Sequence, residues 1–414
     1  MIDRWLERAA ALRPDRVAVE APDGTPPYAE LLERARGVAG ALAARGVRPG
    51  DHVALALPAG AEFAAALHGC LLLGAAAMPV DLRLPEAERA PLLRAAAAIV
   101  DGPLEGGPAP PFAPDLHDPA LILQTSGTTG APRPVTLSFG NVQANALGSA
   151  VALGLDPHER WLCPLPLSHV GGLMVLLRSA IYATTAVVGP PERDDVTLAS
   201  MVPTLLARLL DAGAPPPPRL RAALLGGAPA TRALLEDARE AGWPVAPTYG
   251  LTQACSQVTV GEPGDVETSG RPLPGVRVTL AADGEILVEG PTVAGGGTLR
   301  TGDLGALDDR GRLIVTGRKA DTIVTGGENV APAEVEAVLL AHPAVADAGV
   351  FARPHPEWGE AVTARVVLKD PATADELRDF ARERLARFKV PKEIELADGL
   401  PRTASGKLVR RELA

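Results

Sequence analysis

The chain has 414 residues, 47% of them hydrophobic and 22% charged, with a formal net charge of −10. That length exceeds what one hydrophobic core usually serves, so two or three domains are expected. So acidic a balance argues against nucleic acid or an anionic membrane as partner, because both select for clustered Lys and Arg.

In chain order, His52 to Leu57 reads as a strand, Ala61 to Leu73 as an Ala/Leu helix and Ala77 to Val80 as another strand. The same texture predicts strands at Leu121–Gln124, Val135–Ser138, Trp161–Leu165, Thr185–Val188, Ala199–Val202, Ala222–Leu225 and Val245–Thr248. Helices are predicted at Asn141–Leu153, Thr204–Leu210 and Arg232–Ala241. Strands spaced by helices of this length imply crossover connections and largely parallel sheets, an α/β fold. The Gly/Pro-rich stretch 102–114 and the prolines 215–218 read as surface connections.

After Gln257 the texture becomes β-rich, with Val276–Leu280, Glu285–Glu289 and Arg312–Thr316 separated by the turn signals Asp283-Gly284 and Asp309-Arg310-Gly311. Beyond about residue 318 a small α+β unit begins. One helix opens at Pro332 and ends before His342-Pro343. A second is capped by Thr373 with Glu376 reaching back, and carries Leu377, Phe380, Ala381, Leu385 and Phe388 as its buried stripe. Strands are predicted at Ala348–Phe351 and Val362–Leu368. The expected division is therefore a large domain over 1–318, with a β-rich subdomain at 257–318, and a small C-terminal domain over 319–414. Cys70, Cys163 and Cys255 have no metal-ligand spacing and read as buried residues of a reducing cytoplasm. With an amino terminus lacking a signal-peptide core and no bilayer-length apolar run, a cytoplasmic protein is expected.

The chemistry gathers in loops. Residues 124–133, Gln-Thr-Ser-Gly-Thr-Thr-Gly-Ala-Pro-Arg, follow a strand and combine hydroxyls with glycines. Exposed backbone amides and several hydroxyl donors suit the oxygens of a polyphosphate, although the common Gly-Lys-Ser/Thr loop is absent. At the end of another strand, residues 249–258 line up an aromatic, a glycine, a hydroxyl and an amide, where open α/β sheets bind ligands.

With these stand Leu-Gly-Gly-Ala-Pro (225–229), Arg-Thr-Gly-Asp-Leu (300–304), Gly-Arg-Lys-Ala-Asp (317–321) and Pro-Arg-Thr-Ala-Ser-Gly-Lys (401–407). In this order they resemble the adenylate-forming superfamily of acyl-CoA synthetases, adenylation domains and luciferases, over nearly the whole chain. Pro-Leu-Ser-His-Val-Gly-Gly (166–172) and Ala-Cys-Ser-Gln-Val (254–258) are similar to the o-succinylbenzoate CoA ligases of menaquinone synthesis.

The resemblance implies a carboxylic acid, ATP with Mg²⁺, and CoA as reactants, through an acyl-adenylate. Carried over, Thr125, Ser126, Gly127, Thr128, Thr129 and Gly130 hold the β- and γ-phosphates. Gly226, Gly227, Ala228, Pro229 and Tyr249 enclose the adenine. Thr252 donates to the α-phosphate, Asp303 accepts from the ribose hydroxyls, and Arg318 contacts ribose or phosphate. Lys407 is the adenylation lysine. His169 gates the substrate path, Gly172, Gly250 and Ser256 line the acyl pocket, and Gly326 and Gly327 border the CoA tunnel. The C-terminal domain is implied to swing about Lys319-Ala320 between half-reactions, where relatives often carry an acidic or polar residue at the position of Ala320. Two residues depart from the pattern: Arg133 replaces a lysine, and Gln253 replaces a metal-binding glutamate, keeping an oxygen ligand without its charge. Another aryl- or acyl-CoA ligase, a stand-alone loader of a carrier protein and a degenerate nucleotide- or acyl-binding homologue are the alternatives. A homodimer is the default assembly.

Overall fold

In a computed structural model, residues 4–125, 133–191, 193–402 and 408–413 are described. Two α/β sheets form the large unit. In one, strands Ala98–Val100, His52–Leu55, Ala76–Pro79 and Pro119–Thr125 run parallel in that spatial order, and Arg133–Ser138 closes the edge antiparallel. In the other the order is Val19–Glu20, Thr185–Val188, Arg160–Cys163, Leu198–Met201, Ala222–Leu225 and Val245–Leu251, all parallel. Ser256–Val260 and Arg271–Pro272 then extend it antiparallel. The carboxyl ends of its middle strands therefore open on one rim, where the loops after Cys163, Met201, Leu225 and Leu251 meet.

With so few aromatics the core is built from small apolar side chains, and helices approach closely. At Gly69, in helix Ala61–Leu73, a Cβ would come within 2.6 Å of Val38 on helix Tyr28–Ala44. The Tyr28 hydroxyl, fully buried, is held by the carbonyls of Ser179 and Thr184 at 2.8 and 2.6 Å. Among the described residues, no helix is long and apolar enough to cross a membrane.

A four-stranded antiparallel sheet follows, from Arg277–Leu280, Glu285–Glu289, Thr298–Leu307 and Leu313–Arg318. The β-rich texture after Gln257 thus has two owners: Ser256–Val260 belongs to the large sheet, and the small sheet starts at Arg277. Strand Thr298–Leu307 escapes a periodicity reading because Gly302 and Gly305 interrupt its alternation and its pairing shifts register beside Gly305.

The last unit has its own sheet, ordered Glu328–Val330, Ile323–Thr325, Gly359–Leu368 and Val345–His355, with Glu393–Leu396 pairing alongside Gly359–Leu368. Val335, Leu339, Val350, Val362, Leu377 and Ala381 form part of its separate core. Helix Ala374–Arg382 opens as predicted: the Thr373 hydroxyl accepts from the Glu376 amide at 3.3 Å and Glu376 accepts from the Thr373 amide at 2.8 Å. It stops at Arg382, so Leu385 and Phe388 reach the core from the turns beyond it.

Helices Trp5–Leu12, Tyr28–Ala44, Glu86–Ala95 and Val170–Tyr182 were outside the sequence expectation. The last is apolar on almost every side because it is buried between sheets, which erases the one-sided stripe that periodicity detects.

His68 lies in the core beside Trp5, Phe112 and Phe139, and burial pushes its pKa down to about 4. Between the usual histidine value and that one, the unfolded chain binds a proton that the fold does not. Stability should therefore fall as pH drops from about 6.5 towards 4, by on the order of 3 kcal/mol. In denaturant titrations at pH 7 and pH 4, His68→Leu should lose correspondingly less stability than the parent; equal losses would contradict this assignment.

Candidate functional site

Strand Val245–Leu251 delivers Tyr249 to the rim and ends in a tight 3₁₀ turn, Thr252–Ala254. The turn returns through Cys255 and Ser256, whose φ values of 54° and 85° place two non-glycine residues in the left-handed region. This strained reversal sets Thr252 and Gln253 at the strand's carboxyl end. Ala294 fastens it by donating its amide to the Gln253 carbonyl at 2.8 Å.

The Tyr249 hydroxyl donates to Asp303 Oδ2 at 2.8 Å, and Arg318 Nε donates to Asp303 Oδ1 at 2.8 Å. Asp303 and Arg318 are register partners on adjacent strands of the small sheet, so the sheet itself aligns them. Tyr249 and Asp303 are both buried, and burial raises the tyrosine's pKa, further helped by the neighbouring carboxylate. The result is a flat aromatic face, an oriented carboxylate and a guanidinium in one row, fitted to a base, a diol and an anionic group.

Gly226 and Gly227 follow strand Ala222–Leu225 on the same rim. A Cβ at Gly226 would lie 2.5 Å from the Thr248 hydroxyl, and Gly227 has φ +81°. Glycine is thus required there by the contact between neighbouring strand ends. Gly250 and Gly172 change their expected meaning. At Gly250 a Cβ would sit 1.9 Å from the Ser256 carbonyl oxygen, and at Gly172 it would sit 2.5 Å from that of Pro166. The space is taken by the protein's own backbone, not left for a substrate. Gly326 and Gly327 form a two-residue hairpin turn, with φ +59° and +87°, between Ile323–Thr325 and Glu328–Val330.

Ser126 to Gly130 and Lys407 lie outside the described residues. Thr125 is described: its hydroxyl donates to the Arg133 carbonyl at 3.0 Å and closes the hairpin that carries the phosphate loop. Among the described residues no group of three or more His, Cys, Asp or Glu could hold a metal ion. Gln253, placed at the strand's carboxyl end by the 3₁₀ turn, could offer a cation one neutral oxygen and no charge.

His169 caps helix Val170–Tyr182 from the loop after Cys163, and its Nε2 stands 4.0 Å from Asp81 Oδ2. Burial lowers the imidazole's pKa, Asp81 opposing and Arg83 adding to the shift. Asp81 and Arg83 were not singled out in the sequence, though a charged pair directly after strand Ala76–Pro79 was a usable signal.

Arg178 was missed as well. It lies on helix Val170–Tyr182 and is 1% exposed, yet no carboxylate among the described residues pairs with it. One guanidinium nitrogen donates to Asn145 Oδ1 at 2.5 Å, the group stacks on Trp161, and Nε has no partner. Asn145 in turn donates to the Gln257 carbonyl at 2.8 Å, so it links the guanidinium to strand Ser256–Val260. A lone arginine inside Leu-Met-Val-Leu-Leu-Arg-Ser-Ala was the sequence signal.

Comparison with known proteins agrees with this layout. The AMP-binding enzyme family model matches residues 6–100 and 97–296, and that of the AMP-binding enzyme C-terminal domain matches 334–407. The 2-succinylbenzoate–CoA ligase of Bacillus subtilis is 37% identical over 470 residues, covering 99% of this chain and 97% of that one. That of Geobacillus kaustophilus is 39% identical over 473 residues, covering 99% and 96%. The Bacillus subtilis o-succinylbenzoate CoA synthetase in complex with its acyl-adenylate intermediate superposes with a TM-score of 0.92 at 37% identity, covering 99% and 97%. A double mutant of that enzyme bound with a product analogue gives a TM-score of 0.72 at the same identity and coverage. The chain belongs to the AMP-binding enzyme family, along both its large unit and its C-terminal one.

Proposed function

We propose that the protein is an ATP-dependent carboxylate–CoA ligase that converts o-succinylbenzoate to o-succinylbenzoyl-CoA in the cytoplasm, with a second copy of the chain as its default partner. The Bacillus subtilis and Geobacillus kaustophilus relatives, similar over almost their full length, support the reaction class and the acid. In the first step a carboxylate oxygen attacks the α-phosphorus of MgATP, the bond to the β-phosphate oxygen breaks, and pyrophosphate leaves. In the second the CoA sulfur attacks the acyl carbon, its proton is lost, and AMP leaves with the electrons of the mixed anhydride bond.

In this reading Tyr249 and the Gly226–Pro229 loop hold the adenine, and Asp303 takes the ribose diol. Arg318 and Thr252 address the phosphates, and the 126–130 loop the β- and γ-groups. Lys407 stabilises charge on the α-phosphoryl oxygens, a role suited to a compact, mobile cation. Ser256 belongs to the acyl pocket wall, whereas Gly172 and Gly250 shape that wall by letting its backbone close up. Gly326 and Gly327 border the CoA path.

The observation that carries the choice of acid is Arg178. An uncompensated guanidinium in a low-dielectric core is costly, and an anionic substituent on the substrate would offset it across the thin wall at Cys255–Gln257. o-Succinylbenzoate has such a second carboxylate. A simple benzoate or fatty acid does not.

The C-terminal unit from Lys319 is proposed to turn between the two steps. The fall in TM-score from 0.92 for the adenylate-bound relative to 0.72 for the product-analogue complex, at equal coverage, supports two arrangements. It also supports assigning this structure to the adenylate-forming one. The turn would break the contacts of Lys319 Nζ with Asp283 and Glu285 on the small sheet.

Acid-dependent ATP–pyrophosphate exchange tests the function, run with o-succinylbenzoate, benzoate and a fatty acid, with and without CoA. Exchange with o-succinylbenzoate and CoA-dependent release of AMP are expected. Exchange without CoA consumption would favour a carrier protein as acceptor, and no exchange with any acid would leave a binding protein. Arg178→Met should raise the KM for o-succinylbenzoate at least about tenfold, with a smaller change for ATP; a KM unchanged in a folded variant would remove Arg178 from acid recognition.

Lys407→Ala should cut adenylation about a hundredfold or more while a supplied acyl-adenylate is still converted by CoA. Equal damage to both steps would place the lysine elsewhere. Gln253→Glu, which adds a charged oxygen ligand, should lower the Mg²⁺ concentration for half-maximal exchange; an unshifted metal titration would show that this position does not touch the cation.

A further inference from the structure

The loop after strand Ala76–Pro79 crosses from the first sheet to the rim of the second. There Asp81 receives three bonds from Arg83: its backbone amide at 3.0 Å and Nε at 2.9 Å to Oδ1, and a terminal nitrogen at 2.6 Å to Oδ2. The Arg83 bonds chiefly, with Ser168 as a minor neighbour, hold the Asp81 carboxyl down at a pKa of about 2. The carboxylate is mostly covered, at 15% side-chain exposure, and its Oδ2 faces His169 Nε2 at 4.0 Å.

The backbone of His169 is clamped separately. Its amide donates to the Pro166 carbonyl at 3.2 Å, its carbonyl accepts from Leu173 at 3.0 Å, and Gly172 lets Pro166 fold onto the helix start. What the backbone leaves free is the direction of the imidazole, and among the described residues the carboxylate facing it is Asp81, with Arg83 beside it.

We propose that Asp81 is a positioning residue, braced by Arg83 and Ser168, that holds the His169 imidazole at the mouth of the acyl site. The inference rests on the reading of His169 as the gate between acyl pocket and thiol path. It adds a function to the contact between the two sheets: the first sheet, through one carboxylate, sets the gate carried by the second. Bracing matters because an aspartate with its own fixed partners can orient a neighbour without itself moving.

A double-mutant cycle tests it, using o-succinylbenzoate, ATP and CoA. ATP–pyrophosphate exchange reports the first step and consumption of free thiol reports the second. Asp81→Ala and His169→Ala should each slow thioester formation about tenfold, with a smaller loss in exchange. The double variant should be no slower than His169→Ala alone. Asp81→Asn keeps an oxygen for Arg83 and Ser168, guards against simple misfolding, and should fall between parent and Asp81→Ala. Multiplying losses in the double variant, or equal losses in both steps, would overturn the coupling. Normal thioester formation by His169→Ala would instead overturn the gate reading beneath it.

Discussion

The Asp303 carboxylate is the point on which the site turns. It accepts from Tyr249, at the carboxyl end of the large parallel sheet, and from Arg318, on the last strand before the C-terminal unit. One buried anion therefore ties Tyr249 of the large sheet to Arg318, the last residue before the 3₁₀ turn leading into the C-terminal unit. Hydrogen bonds to an ionised group in a covered position are stronger than neutral ones. The same bonds fix the direction of the Asp303 carboxylate.

Around that point, strain and packing do related work. Two consecutive left-handed residues, Cys255 and Ser256, fold the chain back so that Thr252 and Gln253 face the rim. Gly250 permits the close backbone contact with Ser256 that this folding needs, and Gly172 permits another with Pro166 at the start of helix Val170–Tyr182. Arg178 is the opposite kind of feature, a buried charge that no carboxylate among the described residues pairs with, held instead by Asn145 and the Trp161 ring.

Much of the layout was legible in the sequence, for physical reasons. Helix Ala61–Leu73 and strands Thr185–Val188 and Ala222–Leu225 have the predicted bounds because each is a short apolar run closed by glycine, proline or charge. The Thr373–Glu376 capping box is a local interaction and needed no tertiary context. Helix Val170–Tyr182 and strand Thr298–Leu307 were not legible: burial on all sides removes helical periodicity, and glycines break strand alternation. Asp303 was singled out although its strand was not, because a short motif survives where an element's pattern is blurred.

What the sequence by itself determined is the inventory: hydroxyl- and glycine-rich loops after apolar strands, a Tyr, an Asp and an Arg in ordered motifs, and Gln253 where an acid is the usual ligand. Those are properties of neighbouring residues, and neighbours are visible in one dimension. Tertiary structure alone decided that Tyr249 reaches Asp303 across 54 positions of chain, that Asp81 comes to His169 from a different sheet, and that Arg178 is buried with no carboxylate partner among the described residues. It also showed that Gly172 and Gly250 are glycines because backbone carbonyls stand where a Cβ would go. A side chain's charge is written in the sequence, but whether that charge is compensated depends on every element packed against it.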